Sequence, residues 1–129
     1  MFFPWDEDLA FWAPDYDIQQ GVAGNVLARR VLDVPSLYRA YLETLAACAR
    51  SAMAPVSEAD PTGWLEAEAL GEIAQFHDAG LADAQKWFTN EWMDDEQQKV
   101  LRFARERGPY VLREAQKSLD RLQGVWRRP

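Results

Sequence analysis

The chain has 129 residues, room for one modest domain and too few for two ordinary ones. With 48% hydrophobic residues, six Trp and six Phe among them, it can bury a core, which excludes wholesale disorder. A formal net charge of -7 argues against nucleic acid or an anionic membrane as its main partner.

The first stretch, FFPWDEDLAFW, sets Asp6, Glu7 and Asp8 inside an aromatic and aliphatic run. In an extended chain Phe3, Trp5 and Glu7 share one face and Asp6 and Asp8 the other. Pro4 restricts this piece to a short edge strand or an extended loop. The opening has no basic region, so it does not read as a signal peptide, and no apolar run is long enough to cross a bilayer. A cytoplasmic location is the default expectation. Residues 13–24, APDYDIQQGVAG, read as a loop by their Pro, Asp and Gly content.

Helices follow. Asn25 is placed to cap NVLARRVL, and Pro35 suits the first turn of the next helix. There Leu37, Tyr41, Leu45 and Cys48 mark an apolar face, which Tyr38 and Leu42 widen. Cys48 is the only cysteine, which rules out an internal disulfide and a cysteine-based metal site; its Ala and Leu neighbours give it the reading of a small buried side chain. After the break at PVSEADPTG, a longer helix carries Leu65, Ala69, Ile73 and Phe76 along one side. His77, the only histidine, reads as a surface or partly buried helix residue. Thr89 or Asn90 caps the last segment, and Val100, Phe103 and Arg107 continue its apolar stripe. Pro109 is expected to end or kink that helix, with another resuming after it. Trp126 with Arg121, Arg127 and Arg128 makes a solvated basic tail. The fold class is therefore mostly α: a short extended N-terminal segment, then four or five packed helices. Its divisions are an acidic and aromatic metal-binding segment with its loop (residues 1–24), a helical domain (25–122) and the basic tail (123–129).

The chemistry these residues permit is narrow. Neither GxGxxG nor GxxxxGK[ST] occurs, so no loop cradles a nucleotide by itself. Asp6 and Asp8 at alternate positions, backed by Phe3 and Trp5, are candidates for a hard-cation site, where Mg²⁺ would fill its shell from water and phosphate. Asp15 and Asp17 would close a larger oxygen cage, better suited to Ca²⁺. The competing reading puts these acids on the solvated face of an amphipathic strand.

FFPWDEDLAFW resembles the WDxD segment of the CotH kinase family, atypical protein kinases named for a spore-coat protein. GNVLARRVLDVPSLYRAYLETLAA is similar to that family's helical stretch after the loop. GWLEAEALGEI and FTNEWMDDEQQKVLRFARERGPYVLREAQ are similar to its closing helices, in the same order. The resemblance implies the C-terminal part of an atypical kinase fold, with ATP- and Mg²⁺-dependent (or Mn²⁺-dependent) phosphoryl transfer to protein Ser or Thr. It makes Asp6 the metal ligand and Asp8 its second, reaching the nucleotide phosphates through the ion, and it gives Asn25 a lesser place near the nucleotide. Arg107 falls at the family's "ER" position, where an ion pair with an acidic neighbour is the simplest role. The nucleotide-covering loop, the phosphate-binding Lys and the acid that orients the acceptor hydroxyl have no counterpart here. The implied partners are thus a missing kinase lobe, on another chain or lost, and a protein substrate. Alone, the chain is expected to be inactive, since phosphoryl transfer needs several parts positioned at once. Two alternatives stay open. One is a helical interaction module that covers Phe2, Phe3, Trp5 and Trp12 by self-association or a partner; the other is an acidic cation-binding protein.

Overall fold

The computed structural model describes residues 11–126; within them the chain is mostly helical. After turns and one 3₁₀ turn at Val22–Gly24 come α1 (Val26–Leu32), α2 (Pro35–Ala52), α3 (Trp64–Ala82) and α4 (Asn90–Trp126). Among the described residues there is no strand, only an isolated bridge between Pro55 and Gly63 that closes the α2–α3 loop. No helix there is long and apolar enough to cross a membrane. The expected extended segment lies at residues 1–10, outside the described ones; Phe11 and Trp12 sit in a turn and a bend.

Local chemistry sets the boundaries. Asn25 caps α1 by accepting from the Ala28 amide at 3.0 Å, and Pro35 opens α2 where no amide donor is needed. Lys86 ends α3 by donating to the carbonyls of Gly80 at 2.6 Å and Leu81 at 3.2 Å, in the last turn, where Gly80 also accepts from the Asp83 amide. The Thr89 hydroxyl accepts from the Trp92 amide at 3.1 Å and starts α4. Glu91 in the first turn is held below the usual carboxylate range by hydrogen bonds with its own amide and with Thr89.

Pro109 does not end α4, which runs unbroken to Trp126 and into the stretch read as a tail. A proline there removes one amide and leaves the Arg105 carbonyl without its helical donor, a local cost of about 3 kcal/mol. Burial on both sides of it offsets that cost: Gly108 and Val111 are buried while Pro109 itself faces outward. Met93, Gln97, Leu101, Ala104, Gly108, Val111 and Ala115 are all buried and recur every three or four residues, so a single stripe passes through the proline.

The core lies between α2 and the C-terminal half of α4. Leu42 is fully enclosed, packed with Ala46 and Ala49 on α2, Val111 and Ala115 on α4, and Ile18 from the loop. The seam consists of small residues, so the helices approach closely. A Cβ on Gly108 would stand 2.5 Å from Met53 Cγ. This seam is turned one position from the expected one in both helices. Leu37 and Cys48 are exposed, and Leu42, Ala46 and Ala49 take the inside; Val100, Phe103 and Arg107 only flank Leu101, Ala104 and Gly108.

α3 is different. It packs on the N-terminal half of α4 and buries none of its residues fully. Leu65, Ala69, Ile73 and Phe76 do share one side, as their spacing indicated, but Phe76 is 47% exposed.

Candidate functional site

The loop that follows the acidic segment is fastened to the helices at four points. The Phe11 ring meets Phe103 of α4 edge to face, with centroids 5.2 Å apart. Arg107 reaches across from α4 and donates from its guanidinium to the carbonyls of Pro14, at 3.2 Å, and Tyr16. The Tyr41 hydroxyl of α2 donates to the Ile18 carbonyl, and the Gln19 amide donates to the Tyr38 hydroxyl. Ile18 itself enters the core. Charged donors on backbone acceptors contribute more than neutral ones, about 1.5–3 kcal/mol each.

Among the described residues Arg107 makes no ion pair of the kind expected. Its partners are two carbonyls rather than a carboxylate, and its charge also lies 5.4 Å from the centre of the Tyr110 ring. The physical reason is position: on α4 it flanks the buried seam, level with a loop whose carbonyls have no helical donors. Burial is the main cause that raises the Tyr41 hydroxyl above its ordinary value of 10.0, with the neighbouring Tyr38 adding to it and Arg107 opposing.

Beside this loop an open cleft of about 560 Å³ runs along α4, lined by Asp15 of the loop and by Arg102, Arg105 and Arg113. Its charges are mostly spoken for. Arg105 Nε lies 2.5 Å from Glu66 Oε1, and Arg113 Nε lies 3.1 Å from Glu114 Oε1. Glu106 also lines the cleft. Its arginines therefore do not sum to an anion site.

Of the residues singled out in the sequence, Asp6 and Asp8 lie outside the described residues. Asn25 is exposed and acts as a helix cap. Asp17 Oδ1 accepts from the Gln19 amide at 2.8 Å in a local turn. Among the described residues, no three His, Cys, Asp or Glu side chains gather around a point that could hold a metal. His77 is partly buried, as expected, with Nδ1 3.1 Å from Gln97 Oε1 and 3.8 Å from Asp94.

Sequence reasoning missed the tyrosine pair. Tyr38 and Tyr41 read as parts of an apolar face, although both use their hydroxyls to hold the loop. Two aromatic alcohols three residues apart on a helix, facing a loop rich in carbonyls, were the available signal. Among known proteins, no family model matches the chain, no curated protein matches its sequence, and no solved structure matches its fold.

Proposed function

We propose that this chain is the closing helical part of a CotH-like protein kinase, with Asp6 and Asp8 as its divalent-metal ligands. One observation carries the reading: Arg107, at the position the resemblance singles out, fixes the loop that directly follows the acidic segment. A metal-bearing segment needs a rigid support behind it, and the loop next to this one is fixed to α2 and α4 through Tyr41, Arg107 and Phe103, which supports the reading. Mg²⁺, when bound, would neutralise charge on nucleotide phosphates. The chain's own residues keep the loop that follows the two carboxylates in place. On this reading the purified chain transfers no phosphoryl group from ATP.

The test is metal binding. Titration with Mn²⁺, followed by the paramagnetic signal of the free ion, should show retention by the native chain. Asp6→Asn combined with Asp8→Asn should weaken it by about tenfold or more. Equal retention by the two proteins would remove the metal role. Radiolabel transfer from ATP to a mixed protein substrate, abolished by Asp6→Ala, would overturn the expected inactivity.

A further inference from the structure

Between α3 and the N-terminal half of α4 lies an apolar groove of about 500 Å³. Ala69, Ile73 and Phe76 form one wall and Trp92, Met93 and Val100 the other. Phe11 lies at its edge, and at the start of α4 Trp92 adjoins Trp87, which is 85% exposed. An apolar surface of this extent normally meets a partner.

We propose that the groove seats an amphipathic helix from another protein, about three turns long, with aliphatic anchors on one face and Lys or Arg beside them. Two features argue for this occupant, and a third marks the groove as an unfinished part of the molecule. The seam from Leu65 to Phe76 rises about 17 Å along α3, and two helices with such a trough between them leave the place of a third in a bundle. The rim is acidic: Glu68 and Glu72 border the groove on α3 and Glu96 on α4, where Lys99 lies 2.5 Å from Glu96. Beneath it Gln97 is buried, and its Nε2 has no hydrogen-bond partner. Among the described residues it is the one such side-chain atom, so this half of the molecule is the one left incomplete.

Charge decides among occupants. Seated by Phe3 and Trp5, the chain's own segment would bring Glu7, which shares their face, toward Glu68 and Glu72. A second copy carries a net charge of -7 against an equally acidic neighbour. A basic helix meets neither repulsion, and its cations would steer it onto the rim. This inference stands apart from the kinase reading, since none of its residues belongs to the loop or the acidic segment apart from Phe11 at the edge.

The probe is a fluorescein-labelled helix of about 14 residues built from Leu and Lys, with a Leu and Glu twin as control, read by polarisation at physiological ionic strength. The Lys helix should bind and the Glu twin should not. Ile73→Glu should weaken binding by about tenfold or more, although it adds a negative charge that would strengthen a purely ionic attraction. Phe76→Glu, at a site already half exposed, should do the same and serves if Ile73→Glu does not fold. Glu68→Gln with Glu72→Gln should slow association and weaken binding several-fold. Undiminished binding by both Glu variants would overturn the proposal, as would equal binding of the two helices. So would a dimer in sedimentation that Phe76→Glu dissociates, which would make a second copy the occupant. Tighter binding after Phe2, Phe3 and Trp5 are changed together to Ser would assign the groove to the chain's own segment.

Discussion

The two halves of α4 meet their neighbours in opposite ways. Toward its C-terminus α2 brings Ala46 and Ala49 against Gly108, Val111 and Ala115, the helices close on each other, and Leu42 loses all contact with water. Toward its N-terminus α3 offers Ile73 and Phe76 to Met93 and Val100, and these larger side chains leave a trough between the helices. The same stripe runs through both halves, so the partner decides the outcome. Small residues on both helices finish a core, whereas large ones on both leave a place for something else. The loop after the acidic segment is tied chiefly to the finished half, where a rigid support is available.

The sharpest way to test that contrast is truncation. Leu42→Ala should lower unfolding free energy by about 3 kcal/mol in urea, because the removed atoms leave a cavity. Ile73→Ala, on the half-open side, should cost about 1 kcal/mol or less, and equal losses would erase the distinction. Arg107→Met keeps the aliphatic stem but removes the guanidinium donors. It should cost about 2 kcal/mol and open residues 13–17 to proteases before α2 or α4 is cut.

Glycines sharpen the contrast further, because the two halves should respond with opposite signs. Gly71 on α3 has open space around it, so Gly71→Ala should stabilise by about 0.5–1 kcal/mol through helix propensity. Gly108→Ala would drive a methyl against Met53 and should destabilise by about 1 kcal/mol despite the same propensity gain, as thermal melting would show. Similar in size is Tyr41→Phe, at about 1 kcal/mol near neutral pH. The folded-state value of Tyr41 is raised, so its contribution is complete below pH 10.0 and is lost as the pH climbs through that raised value. The Phe variant should lack this alkaline component in urea titrations run on either side of pH 10.

Where bulk hydropathy and capping carried the signal, the sequence was readable: the helices, the Asn25 cap, the Pro35 start and the side of α3 that carries Leu65 and Ile73. The seams were displaced by one position because Ala46, Ala49, Ala104 and Gly108 barely register as apolar, yet they let the backbones approach. Pro109 misled for a related reason. Its local cost was legible, but the burial of Gly108 and Val111 that offsets it was not. Around the site, Arg107 stood out as a residue, but its partners are carbonyls 91 and 93 positions away, which no side-chain pattern reveals.

The proposed role of the helices, as support for an acidic segment that binds a divalent metal, can be tested most directly by backbone NMR with Mn²⁺ added in small amounts. Bound ion should broaden the amides of residues 11–17 first, leave those in the acidic first turn of α4 sharp, and lose its effect in the Asp6→Asn, Asp8→Asn chain. Broadening centred on Glu91, Asp94 and Asp95, or unchanged by those substitutions, would contradict the account.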